Sequence, residues 1–180
     1  MHVYEPAVVE GFEWVLPVQN EDFEVFRGLD GTPRHSTWSP IPMRLLTEDD
    51  SGRPLQRADF PWLGSHVLIL RDRAVQAVGS VLEDYGELLP LDCAQADLSV
   101  LNVCRVVDAL DEERSELVRF GTGRIMKIKR AVFREEALAE AHIFKLPQML
   151  RGSIYLTENI VQQIRHAQLQ GIDFRIVSDD

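Results

Sequence analysis

The chain has little cysteine: Cys93 and Cys104 are the only two in 180 residues, too few for a disulfide framework. Both sit in apolar surroundings, so both are expected as small buried hydrophobes in a reducing compartment. Histidine is equally unhelpful to a metal. His2, His35, His66, His142 and His166 are scattered, and neither a His-x-x-x-His nor a Cys-x-x-Cys spacing occurs. Because ligation needs several such side chains converging, no metal and no cofactor are expected. No uninterrupted apolar run approaches bilayer length, so no membrane span is expected. The first residues, MHVYEPAVVEGFEWVLPV, lack a basic segment followed by an apolar core. They do not read as a signal peptide, and a cytoplasmic protein is expected.

Catalytic signatures are also lacking. No Gly-x-Ser-x-Gly turn occurs, and the neighbours Ser65 and His66 would point to opposite faces of a strand. The one glycine-rich candidate for a phosphate cradle, Gly121-Thr122-Gly123, precedes a strand pattern and not a helix. It reads as a hairpin turn. The basic segment Arg124, Lys127, Lys129, Arg130 and Arg134 has no interleaved aromatics for base stacking, and a net charge of −10 opposes nucleic-acid binding. Its simplest role is to pair with the chain's own acids on neighbouring strands. No enzyme is expected.

What is present is negative charge in one place. Residues 83–116 hold ten acids against two bases, Arg105 and Arg114. The candidate partner-binding acids are Glu83, Asp84, Glu87, Asp108, Asp111, Glu112, Glu113 and Glu116; Asp92 and Asp97 complete the set. Residues 1–30 add seven acids against one base, Arg27. A field of one sign speeds encounter with oppositely charged partners. A plain solvated face reads the same way from charge alone.

The patterning predicts α+β: a mainly antiparallel sheet, two principal helices packed on it, and an irregular, Pro-rich N-terminal segment. Seven of the nine prolines fall in residues 1–62. Residues 1–58 are expected to pack as an extension on a core spanning 59–180. Short strands are expected at Phe12–Leu16 and Phe23–Phe26, with loops at Leu29–Pro42 and Glu48–Arg57. His66–Leu70 reads as a strand. A helix follows, capped by Asp72, with Ala74, Val75, Val78, Val81 and Leu82 as its apolar stripe and Gly79 marking close packing. Leu98–Val107 is apolar on both parities and reads as a strand covered on both faces. Arg124–Val132 alternates, with Met126 and Ile128 on one side and Lys127 and Lys129 on the other. A second helix capped by Thr157 carries Ile160, Val161, Ile164 and Ala167, and Asp173–Val177 closes the chain as a strand.

These segments carry a resemblance. Asp59-Phe60-Pro61-Trp62-Leu63, the Asp72–Asp84 helix with Leu88-Leu89-Pro90-Leu91, and Asn102–Leu110 are similar to immunity-protein family eleven of bacterial polymorphic toxin systems. So are Ile143-Phe144-Lys145-Leu146, Gly152-Ser153-Ile154-Tyr155-Leu156 and Gly171-Ile172-Asp173-Phe174. The resemblance implies a protein that binds and neutralises a cognate toxin, and it transfers no site residues. An acidic face meeting a basic cleft, such as that of a nuclease, is a coherent means of neutralisation. The alternative is a small-ligand domain or enzyme with a pocket between the N-terminal segment and the sheet, using Arg34, His35 and Trp38. A homo-oligomer whose acids only aid solubility remains open.

Overall fold

The computed structural model describes residues 1–178. In chain order the elements are β1 (Val3–Ala7), β2 (Trp14–Pro17), α1 (Phe23–Arg27), β3 (Met43–Leu46), β4 (Leu68–Arg71), α2 (Asp72–Glu83) and β5 (Gly86–Leu91). They continue with β6 (Leu98–Val103), β7 (Glu116–Arg119), β8 (Ile125–Arg130), β9 (Ile143–Phe144), β10 (Tyr155–Thr157), α3 (Glu158–His166) and β11 (Asp173–Ile176). All strand ladders are antiparallel, and the class is α+β as the patterning predicts.

Of the run apolar on both parities, only Leu98–Val103 is β6, the middle strand of a three-stranded sheet ordered β4-β6-β5; the strand ends before Val106, which is 39% exposed and not covered as expected. Leu101 and Val103 face one core together with Leu68 and Leu70 of β4. Leu98 and Val100 face a second, with Ile69 of β4. Helix α2 crosses from β4 to β5 and buries Ala74, Val78 and Leu82 in the first core. Helix α3 lays Ile160, Val161 and Ile164 into that same core from the other side. Burial of each such Val, Leu or Ile contributes about 1.5–3 kcal/mol. Both helices begin without a side-chain cap. Asp72 is the first helical residue and not the cap, and the Thr157 hydroxyl bonds His142 Nδ1 at 3.0 Å instead.

The second sheet has the order β11-β1-β10-β9, which places the N-terminal β1 between two strands from the far end of the chain. Tyr4, Leu156 and Phe174 face the first core, while Val3, Phe144 and Tyr155 face a third, where the β7–β8 hairpin packs. Strands β2 and β3 form a separate ladder over the second core.

Several local expectations need correction. Phe23–Phe26 is helical, not extended: α1 continues a 3-10 turn at Asn20–Asp22 and buries only Phe26. In β8, Met126 is 47% exposed and Ile125 is the buried residue. Register shifts against β7 interrupt the alternation. Both cysteines are free and half-buried, not fully buried. Residues 121–123 do form the hairpin turn, with Gly123 at φ 86° and its amide bonded to Phe120 O at 2.9 Å.

Gly86 tests the β5–β6 seam. A Cβ there would lie 2.1 Å from the Asn102 carbonyl oxygen. Backbone cannot yield as a flexible side chain does. Gly86→Ala is therefore expected to destabilise by about 1–3 kcal/mol in urea unfolding. An unchanged midpoint would mean that the seam tolerates separation.

Candidate protein-binding surface

The acids of residues 83–116 do not form one uniform face. They divide by what each carboxylate touches. Glu87 leaves β5 toward the loop before β3. Its oxygens accept from the Arg34 amide at 2.8 Å, the His35 amide at 3.3 Å and Asn102 Nδ2 at 3.0 Å. Burial raises the Glu87 pKa, but these donors outweigh it and hold the carboxyl below its ordinary range. Glu87 is thus a clamp for the Arg34–Trp38 loop.

Glu83 and Asp84 end α2 and are exposed, with no ion-pair partner among the described residues. Neither has compensating basic residues in the helix's last turn, so both add negative potential where the helix dipole is already negative.

The excursion between β6 and β7, together with Glu116 at the start of β7, carries the rest. It is a braced loop. Asp111 N donates to Val132 O at 2.8 Å, and Ser115 N to Asp111 O at 3.0 Å. Asp111 Oδ1 accepts from the amides of Glu113 and Arg114 at 3.2 and 3.1 Å, so Asp111 shapes the turn. The Arg134 guanidinium donates to Leu110 O at 2.9 Å and to Asp108 O. Gln148 Nε2 spans Asp108 Oδ1 at 2.8 Å and Glu112 Oε1 at 3.1 Å.

Asp108, Glu112, Glu113 and Glu116 are all exposed on this brace. Asp108 faces Arg134 at 3.2 Å, Glu112 faces Arg119 at 2.7 Å, and Glu116 faces Lys129 at 3.1 Å. Glu113 has no ion-pair partner among the described residues. The hydrogen bond from Arg119, with a second from Gln148, holds the Glu112 carboxyl below its usual range. Of the basic segment, Lys129 and Arg134 therefore do pair with the chain's own acids, while Arg124, Lys127 and Arg130 have no ion-pair partner among the described residues. This pairing leaves the carboxylates at the surface.

The N-terminal acids contribute less. Glu13 is buried against Arg71 at 2.7 Å, and Glu24 is paired with Arg27 at 2.9 Å. Glu5 is paired with Arg175, and Asp30 with Arg34 at 3.3 Å. Glu24 with Arg27 and Asp30 with Arg34 are local pairs at i,i+3 and i,i+4 spacing, whereas Glu13 with Arg71 and Glu5 with Arg175 lie 58 and 170 residues apart with nothing local to signal them.

The Arg34, His35 and Trp38 trio does not converge on one ligand site. Arg34 Nη2 donates to Gly28 O at 3.0 Å, and Trp38 Nε1 donates to Pro90 O at 2.8 Å. Arg34 and Trp38 line a cleft of about 410 Å³ with Val25, Leu29 and Ile41, and His35 is not among its lining residues. A larger cleft of about 780 Å³ adjoins the acidic loop, between Asp30, Glu112, Arg119, Arg124, Gln148 and Arg151. Its charges are mixed. No group of three His, Cys, Asp or Glu side chains that could hold a metal occurs among the described residues. No described helix is long and apolar enough to cross a membrane.

No curated protein matches the chain. The tail motifs Ile143–Leu146, Gly152–Leu156 and Gly171–Phe174 all fall within residues 94–179, as does Asn102–Leu110. Over those residues, 94–179, the chain matches the model of the immunity protein family Imm11.

Proposed function

We propose that the protein is an immunity protein of the cytoplasm that binds a cognate toxin domain and blocks it by occupancy, without chemistry of its own. The docking set is Glu83, Asp84, Asp108, Glu112, Glu113 and Glu116, with Asp111 holding their loop in shape and Glu87 acting from within. The observation that carries this reading is a braced loop that, with Glu116 at the start of β7, presents four exposed carboxylates inside the stretch that matches the immunity family. A pre-shaped loop loses little freedom on docking, so more of the contact energy appears as affinity. Concentrated negative potential speeds encounter with a basic cleft, as in a nuclease, and discriminates against wrong partners.

The test is the cognate toxin domain, co-expressed for rescue and titrated for kinetics. Combined Glu112→Lys and Glu113→Lys substitution is expected to slow association about tenfold or more at low salt and to flatten its salt dependence. Unchanged association would remove this loop from the docking face. Failure of the unmodified protein to rescue the cell would remove the immunity role itself.

A further inference from the structure

One cleft of this acidic molecule is walled by cations. It has a volume of about 660 Å³ and lies between β8 and one face of the β11-β1-β10-β9 sheet. Met126–Ala131 form its wall, and Glu5, Tyr155 and Arg175 line its sheet side. β8 is laddered on one edge only, to β7. At its end Ala131 makes a single parallel bridge to Ser178, just beyond β11. Among the described residues the two strands share no bridge before that point, and the cleft opens there.

Lys127, Lys129, Arg130 and Arg175 are among the residues that line the cleft. Their neutralisation is partial. Lys129 meets Glu116 at 3.1 Å with its side chain 54% exposed, and Arg175 meets Glu5 with its side chain 71% exposed. Arg130 donates to the Arg114 carbonyl at 3.2 Å. Lys127 has no ion-pair partner among the described residues. Met126 and Ile176, 47% and 50% exposed, add apolar surface to the lining.

We propose that this cleft docks an extended acidic segment of a partner protein, laid along the open edge of β8. Lysines and bulges on an edge strand ward off adventitious pairing by neutral or basic strands. Against a strand bearing carboxylates the same lysines become attractive cross-strand partners. Strand addition supplies main-chain hydrogen bonds, and alternate side chains of the guest reach the cations while the others reach Tyr155 and Met126. A long polyanion such as nucleic acid is disfavoured, because its charge extends past the cleft into a field of net charge −10. The inference does not depend on the acidic loop being the toxin contact, since the two surfaces carry opposite charge and meet opposite partners.

The test uses the full chain, isotope-labelled, with a short capped peptide of alternating Glu and Val. Saturable shifts and slowed amide exchange are expected at Met126–Arg130. A Lys–Val peptide of equal length should leave them unmoved. Combined Lys127→Glu and Arg130→Glu should weaken the Glu–Val peptide about tenfold or more, with Lys127→Gln and Arg130→Gln between. Should these variants lose their fold, the two peptides on the unmodified chain decide alone. The proposal is overturned if the Glu–Val peptide causes no shifts, shifts elsewhere, or binds no better than the Lys–Val peptide. Tighter binding of a single-stranded DNA oligomer at the same amides would assign the cleft to nucleic acid and overturn it too. So would peptide-free, concentration-dependent broadening there, which would assign it to a second copy of the chain.

Discussion

Replacing Glu13 by Ala is expected to destabilise the protein by about 3–5 kcal/mol, because it leaves Arg71 buried and unpaired. Arg71 Nη1 lies 2.7 Å from Glu13 Oε2, with side chains only 5% and 9% exposed. The pair is tied in further by Arg71 Nη1 donating to Ala58 O at 2.9 Å and by the Ala58 amide donating to Glu13 Oε2 at 3.0 Å. The Arg71 Nε–H has no hydrogen-bond partner among the described residues, so losing Glu13 leaves a guanidinium that is already under-satisfied. The residue matters for architecture as well. Glu13 N donates to Gln56 O at 2.9 Å and its carbonyl accepts from Trp62 N at 3.2 Å, so one position joins the chain before β2, the segment before β4, and β4 itself. Urea unfolding of Glu13→Leu, Arg71→Met and the variant carrying both forms a double-mutant cycle. The pair of apolar replacements is expected to recover most of the loss, since removing both charges removes their desolvation. A Glu13→Ala change within about 0.5 kcal/mol would show that solvent reaches Arg71.

How much of this was legible depends on how local each cause is. The stripes of α2 and α3 and the two-faced burial of β6 are repeated over a turn or more, so short-range pattern suffices. The 121–123 turn is legible because Gly123 needs a positive φ. β1 is not legible: Val3-Tyr4-Glu5-Pro6-Ala7 holds a proline and a charged residue, and its partners are Leu156, Thr157 and Asp173–Ile176. Nothing local announces pairing across most of the chain. α1 misleads for the opposite reason. Phe23, Val25 and Phe26 favour a strand in isolation, while the preceding 3-10 turn sets the helical direction. The acidic stretch is visible as composition, but its division is not. Glu87 differs from Glu113 in having Asn102 Nδ2 and the Arg34 and His35 amides folded over it, and those amides come from a loop more than fifty residues earlier.

Lys145 shows how a buried charge can link stability to pH behind the acidic loop. The side chain is 2% exposed, and its Nζ donates to Leu150 O at 3.1 Å. Burial pushes its pKa down to about 8, against an opposing pull from Asp30 and Cys104. In the unfolded chain the same amine titrates near 10.4. Between those values the unfolded state binds more protons, so this residue makes stability rise with pH through that window. Below about pH 8 both states are protonated and the full penalty is present, on the order of 3 kcal/mol. His66 acts in the same direction at lower pH, since burial together with the charges of Lys145 and Arg27 depresses its pKa. Cys104 acts oppositely: burial, then Glu87, raises its thiol, so its contribution falls as pH rises. Lys145→Met is therefore best measured as a difference from the parent protein. The difference is expected to favour the variant at neutral pH and to shrink steadily above pH 8, offset by about 1–3 kcal/mol for the orphaned Leu150 carbonyl. Parallel stability curves for the two proteins from pH 7 to 10 would show that Lys145 carries its proton equally in both states. The consequence reaches the proposed docking face. The turn that Lys145 anchors begins at Pro147 and carries Gln148, which spans Asp108 and Glu112. Lys145→Met is thus expected to loosen the brace and slow toxin association even where it raises global stability.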